Sequence, residues 1–305
     1  MTKVSFLAVI APFCLAACSG SDGDRIDGNS HQVAPIDYCA EAQRYEFFPI
    51  GNKPQPTSTI ADPFDARNGF NWFASKDATP DGDMDPNQTG IPQKDAPDIR
   101  CGAPVKAIRV TARGLRDWGG NLGYNFNSDA PLDGSLLHGW LAAPGNEFGV
   151  TPEELEGMSF WVRLANCETD PPGVYPACED PLPLGNTLFA SVTDEFTTQV
   201  EGCEGTSDGC ACLFNAPTVP EGTPAPDPTT FQCDAFGTGV GFGPEWRFFT
   251  LRFDEMLQRG YGRPSPQSMP GPDLLGVSFG IEIGTWDLWL DDIAFFRTRP
   301  DAAAP

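Results

Sequence analysis

Ser159-Phe160-Trp161-Val162-Arg163-Leu164-Ala165 is the stretch on which the fold turns. Phe160, Val162 and Leu164 fall on one side of an extended chain, and Trp161 and Arg163 on the other, because successive strand side chains point to opposite faces. That alternation, carried by aromatic and β-branched residues, predicts a half-buried strand. The residues just upstream set its start. Thr151-Pro152-Glu153-Glu154 places Thr as an N-cap, Pro at the first helical position and Glu three after the cap, the signature of a helix start. Gly157 stops that helix after about one turn and hands the chain to the strand.

The same period of two recurs along the chain. In 107–112, Ile108 and Val110 oppose Arg109 and Thr111, and in 275–283, Val277, Phe279, Ile281 and Ile283 share one face. Strands are also expected over 70–74, 122–126, 187–192, 246–253 and 288–296. Helix is confined to single turns at 151–154 and 254–260, and there is no internal repeat. With 33 Gly and 31 Pro to make turns, the expected class is all-β, a β-sandwich or jelly roll.

The leader fixes the compartment. Lys3 precedes an apolar run over 4–13, which ends in Leu15-Ala16-Ala17-Cys18. The run is too short for a spanning helix and suits a signal peptide. The ending resembles the lipobox of bacterial lipoproteins, which implies cleavage after Ala17, lipidation of Cys18 and a membrane held through the lipid anchor. Ser19 in place of Asp resembles lipoproteins exported to an outer membrane, which implies an outer-membrane or cell-surface location. An ordinary signal peptide ending near Ala17 is the other reading. The expected organisation is 1–17 leader, 18–35 flexible tether, 36–298 β domain and 299–305 disordered tail.

Composition narrows the partners. With 19 basic against 42 acidic residues, the formal charge is −23, which disfavours nucleic acid. Removing Cys14 and Cys18 from the ten cysteines leaves eight: Cys39, Cys101, Cys167, Cys178, Cys203, Cys210, Cys212 and Cys233. An even count in an exported chain predicts disulfides, with Cys39–Cys101 and Cys167–Cys178 suggested by proximity. Zinc at Cys210-Ala211-Cys212 is disfavoured, since no histidine lies nearby. The Pro-, Gly- and acid-rich stretch 166–234 reads as a disulfide-rich loop insertion.

Several phrases occur in a fixed order: Phe64-Asp65; Phe70-Asn71-Trp72-Phe73; Trp118-Gly119-Gly120-Asn121-Leu122-Gly123-Tyr124-Asn125-Phe126; Leu155-Glu156-Gly157-Met158-Ser159-Phe160-Trp161-Val162-Arg163; Trp246-Arg247-Phe248-Phe249-Thr250-Leu251; and Asp287-Leu288-Trp289-Leu290-Asp291-Asp292-Ile293. Together, over roughly 60–296, they resemble galactose-binding-like jelly rolls, in particular family-11 carbohydrate-binding modules. The resemblance implies a polysaccharide or glycan partner and a structural calcium joining first strand to last, here through Asp62, Asp65 and Asp292. Glycan recognition needs flat apolar faces beside groups that bond hydroxyls. The candidates are Trp118, Tyr124, Trp161, Arg163 and Trp246, although a two-sheet sandwich of this size buries several tryptophans, and core is the favoured reading for any one of them. The stretch 166–234 departs from a plain module and could cover or extend the binding face.

Other chemistry finds little support. Asp81-Gly82-Asp83-Met84-Asp85-Pro86-Asn87 spaces oxygen ligands like the start of a calcium loop, but its glycine is misplaced and the closing glutamate is missing. The glycine-rich 237–243 leads into Pro244 and a strand, not the helix a dinucleotide fingerprint needs. Ser135 and His138 near Asp133 lack a nucleophile elbow. The expected function is therefore a non-catalytic cell-surface lipoprotein with a carbohydrate-binding-like module. The alternatives are a structural or protein-interaction lipoprotein on the same fold, and a glycan-active enzyme using two carboxylates.

Overall fold

Alternating apolar residues build two antiparallel sheets, each with one face turned inward. The computed structural model describes residues 33–50, 72–85, 91, 94–100, 103–117, 119–126, 141, 148–165, 170–171, 187–194, 197, 235–258, 268, 270, 274–281 and 283–301. Its strands are β1 (Tyr45–Pro49), β2 (Trp72–Lys76), β3 (Asp83–Asp85), β4 (Lys94–Arg100), β5 (Ala103–Leu115), β6 (Gly120–Asn125), β7 (Gly157–Leu164), β8 (Thr187–Asp194), β9 (Phe236–Gly241), β10 (Arg247–Arg252), β11 (Leu274–Ile281) and β12 (Gly284–Thr298). A seven-stranded sheet runs β10-β7-β12-β5-β3, with β1 on β12 and β4 on β5. A five-stranded sheet runs β2-β6-β11-β8-β9.

The inward residues pack as one core. Phe160, Val162 and Leu164 of β7, Ile108 and Val110 of β5, and Leu288, Leu290 and Phe295 of β12 meet Leu122 and Tyr124 of β6, Leu188, Ala190 and Val192 of β8, and Val277, Phe279 and Ile281 of β11. Phe160 and Phe279 cross the layers edge to face, with centroids 5.0 Å apart. The expected all-β sandwich is therefore observed, and so is the inward set of the 159–165 strand. The expected helix start forms a single 3₁₀ turn, Pro152–Glu154, with the Thr151 N–H donating to Glu154 Oε2 at 2.8 Å.

The structure corrects some of these readings and adds to others. Ile283 leaves the inward row and is 49% exposed, because β11 ends at Ile281 and the chain turns through Gly284 at φ 125°. The glycine-rich segment beginning at 237 forms β9, in which Phe236 and Val240 pack inward and the glycines alternate with them. In the acidic Asp81–Asn87 segment, Asp83–Asp85 pairs with β5 and Asp81 is ion-paired with Arg116, while Pro86 and Asn87 lie outside the described residues. The stretch 166–234 is not one insertion, because β8 runs through it and pairs with both β11 and β9. Cys39 is disulfide-bonded; Cys18, Cys101, Cys167, Cys178, Cys203, Cys210, Cys212 and Cys233 lie outside the described residues. No described helix is long and apolar enough to cross a membrane.

Candidate functional site

Each sheet also has an outer face, and the two are built differently. On the seven-stranded sheet, one row of side chains crosses β5, β12, β7 and the residue before β10. Arg109 stands opposite Trp289, and Trp289 opposite Arg163. The Arg109 guanidinium lies 4.9 Å from the Trp289 ring, and Arg163 lies 5.6 Å from Trp289 and 5.3 Å from Trp246. Cations over aromatic faces attract the ring quadrupole, more strongly once desolvated. Two carboxylates close this ladder. Asp287 takes a bidentate pair from Arg109 at 2.8 and 2.7 Å. Asp170 accepts from Arg163 Nη2 at 3.0 Å and from Trp289 Nε1 at 2.9 Å. Burial pushes the Asp287 carboxyl above its usual range, Arg109 opposes that, and the nearby Asp170 charge adds to the rise.

This face is closed. Arg163 is fully buried and Trp161 is 6% exposed. Trp161 lies under Tyr38 of the helix α1 (Tyr38–Glu41) and against Phe248, with ring centroids 5.2 Å away in each case. Trp161 and Arg163, expected to form a sugar platform, are therefore packed side chains. Trp246 is half-buried over Arg163. Tyr124 is also corrected: it points into the core and packs on Trp72, with centroids 5.1 Å apart. Trp118 lies outside the described residues, and its neighbours Asp117 and Gly119 are both bonded to Asp77. Asp77 Oδ2 accepts the N–H groups of Asp117 and Gly119 at 2.9 and 3.0 Å, and Oδ1 accepts that of Thr79 at 3.0 Å. Burial alone would push Asp77 up, but these bonds and one from the Thr79 hydroxyl outweigh it and hold the carboxyl below its usual range.

Of the expected calcium ligands, Asp62 and Asp65 lie outside the described residues. Asp292 sits where β12 slips register against β7, between Asp291 and Ala294, with a positive φ of 43°. This is a bulge, where Asp and Asn are tolerated better than most residues. Among the described residues, no group of three or more His, Cys, Asp or Glu is placed to hold a metal.

The outer face of the five-stranded sheet is uncharged, and part of it is buried. Paired residues of an antiparallel sheet point to the same side, so the register defines two rows. One reads Ser75, Asn121, Gly280, Phe189, Gly239. The next reads Phe73, Gly123, Ser278, Ser191, Gly237. None of these ten positions is charged. Phe73 and Phe189 are each partly exposed and rest on glycine. A Cβ on Gly123 would lie 2.3 Å from Phe73 Cζ, and one on Gly237 would lie 2.6 Å from two atoms of the Phe189 ring. Any side chain there would push the ring away. Ser191 and Ser278 share a hydroxyl–hydroxyl bond of 2.8 Å. Asn121, 1% exposed, and Ser75 each leave a buried side-chain oxygen without a hydrogen-bond partner. Buried polar atoms are normally satisfied, so these two are exceptions among the described residues.

Sequence reading missed this face because it searched for tryptophan and tyrosine. The available signal was the alternation in 72–75, which sets Phe73 and Ser75 against the inward Trp72 and Ala74. No family model and no curated protein matches the chain. Among solved structures, it is similar to the family 11 carbohydrate-binding module of the cellulosomal cellulase Lic26A-Cel5E of Clostridium thermocellum, at 9% identity and a TM-score of 0.38, over 81% of this chain and 97% of that one. It is also similar to the family 11 module from Clostridium thermocellum in complex with a β-1,3-1,4-mixed-linked tetrasaccharide, at 8% identity and a TM-score of 0.39, over 83% of this chain and 96% of that one.

Proposed function

We propose that this chain is a non-catalytic, carbohydrate-binding-like lipoprotein, anchored through Cys18 at the cell surface, whose ligand face is the outer face of the five-stranded sheet. The observation that carries the reading is the pair of partly exposed phenylalanine rings, each resting on glycine, on an uncharged sheet face with the partly exposed Ser278 between them. Aromatic plates give a pyranose ring an apolar surface, and neutral donors and acceptors bond its hydroxyls. The ordered phrases that resemble family-11 modules point the same way. Hydrolysis by two carboxylates needs paired Asp or Glu at the bound sugar, and the two rows supply neither.

The test is binding of neutral polysaccharides by affinity electrophoresis, with Phe73→Ala and Phe189→Ala against Trp161→Ala. Loss of retardation is expected in the first two, with retention in the third at temperatures where it stays folded. Loss in Trp161→Ala alone would move the site to the other sheet. Calcium belongs to the same proposal, with the Asp292 carboxylate as a ligand that stabilises the fold and does no chemistry.

A further inference from the structure

The segment that enters the domain forms a small aromatic cover. The Ile36 N–H donates to the Phe248 carbonyl of β10 at 2.9 Å. α1 follows, and its Tyr38 ring lies 4.6 Å from Phe248, 5.2 Å from Trp161 and 5.9 Å from Phe47 between centroids. Beneath it, Phe248 is 1% and Trp161 6% exposed. α1 has four residues, and so short a helix does not hold itself together in water. Ile36 and Tyr38 are only half-buried. The covalent tie is Cys39, next to Tyr38, which is disulfide-bonded and exposed. No other cysteine falls among the described residues, so its partner lies outside them.

We propose that Cys39 is a thiol–disulfide exchange site, and that opening its bond releases α1 and uncovers Trp161 and Phe248. Exchange proceeds by attack of a thiolate on a disulfide sulfur, and exposed disulfides are the more reducible ones. The reductant is a dithiol. Its first thiolate forms a mixed disulfide with Cys39, and the partner cysteine leaves as a thiolate. Its second sulfur then displaces Cys39 and closes the oxidised dithiol. Two electrons and two protons pass from the dithiol to the two protein sulfurs, and exchange with an oxidised dithiol reverses the step. With the tie cut, α1 keeps the Ile36 bond, the Tyr38 ring contacts and the Glu41–Arg44 pair at 3.3 Å, whose exposure makes it weak. The sheet beneath holds without α1, because Phe248 and Trp161 sit opposite each other in the β10–β7 ladder, which runs over six residue pairs. Release is therefore local and leaves the sandwich folded.

The experiment treats the full chain, purified in detergent and without denaturant, with dithiothreitol, traps free thiols with iodoacetamide and maps them by peptide mass spectrometry. Cys39 should be alkylated while the far-ultraviolet circular dichroism of the β domain is unchanged. Acrylamide quenching of tryptophan emission should rise as Cys39 is reduced, and the rise should be lost in Trp161→Phe. Cys39→Ser should show the raised quenching without any reductant. Tyr38→Ala keeps the disulfide, covers the case in which Cys39→Ser misfolds, and should raise quenching before reduction. Cys39 that resists alkylation until the domain unfolds overturns the exchange site. Reduction that unfolds the whole domain, or that leaves the quenching of Trp161 unchanged, overturns the release of α1.

Discussion

Asp170→Ala isolates the element that closes the outer face of the seven-stranded sheet. The Asp170 carboxylate lies 2.9 Å from Arg163 Nη2 in an ion pair whose side chains are 0% and 2% exposed, and it accepts the Trp289 indole N–H at 2.9 Å. Removing one partner of a buried pair costs about 3–5 kcal/mol, because the other charge stays buried without its counter-ion. The lost indole bond adds about 1 kcal/mol. The Arg163 guanidinium keeps its bond to the Leu164 carbonyl at 3.0 Å and its contacts with Trp246 and Trp289. Those contacts are present before and after the change and do not offset it, so a net loss of about 4–6 kcal/mol follows, which lowers the melting temperature of a domain this size by about 8–24 °C.

The double variant Arg163→Met/Asp170→Ala decides whether charge is the reason. It removes the stranded cation along with the carboxylate, and methionine refills part of the space between the two tryptophans. It should be more stable than Asp170→Ala alone, with a coupling energy of about 2 kcal/mol or more. Urea unfolding at neutral pH, followed by tryptophan emission, measures all four corners of the cycle. Trp289 sits between two guanidiniums, so the folded-state emission should also shift in Asp170→Ala. A loss below about 0.5 kcal/mol, or a double variant as unstable as the sum of the singles, refutes the ladder as a coupled unit.

Gly157→Ala should cost at least about 1–3 kcal/mol by urea unfolding, since the new Cβ would sit 2.0 Å from the Leu251 carbonyl oxygen and 2.9 Å from Arg252 Cα, which are backbone atoms with no room to give; a neutral variant contradicts the β7–β10 register. Glu156, pushed up by burial but held lower by Thr298 and Arg252, and Asp77, lowered on balance as described above, both have depressed folded values. Their stabilisation is present above the ordinary carboxylate range and is lost as pH falls through those lowered values. Unfolding free energy should therefore drop in acid, and Asp77→Asn should flatten the drop; an unchanged slope counts against the Asp77 turn as its source. For Asp292, added calcium should raise the melting temperature of the parent and not of Asp292→Asn, which keeps the tolerance for positive φ and loses the charge. Asp292→Gly without calcium should be neutral or stabilising by about 0.5–1 kcal/mol, and an equal calcium response in parent and Asn variant removes Asp292 as a ligand.

The sandwich was legible wherever apolar residues alternate with others, as in 107–112 and 159–165. Those positions report which side chains share a face, and the cores of β5 and β7 follow. Alternation does not report what covers the other face. Trp161 and Arg163 share their side as expected, but Tyr38, more than a hundred residues earlier in sequence, lies over Trp161, and Asp170 neutralises Arg163. Both contacts are set by tertiary placement. β9 was obscured because glycine carries no hydropathy signal, although Phe236, Thr238 and Val240 recur with a period of two. Phe73 and Phe189 were passed over because only the register shows that each faces a glycine. Their role depends on what is absent from the neighbouring strand, and a single strand read alone does not contain that.

The chain ends explain why the two outer faces took opposite roles. The N-terminal segment reaches the domain where the Ile36 N–H donates to the Phe248 carbonyl at 2.9 Å, and α1 then lies on Trp161 and Phe248. β1 follows on β12, with Tyr45 paired to Thr298 and Pro49 to Ala294, and the Arg299 N–H returns to the Arg44 carbonyl at 2.9 Å. Both ends of the described chain therefore lie on the seven-stranded sheet. A sheet crossed by entering and leaving chain needs partners for its outer side chains, and the Arg–Trp ladder with its two carboxylates provides them. The five-stranded sheet carries neither of these ends, and its outer side is floored by glycine, serine and asparagine instead.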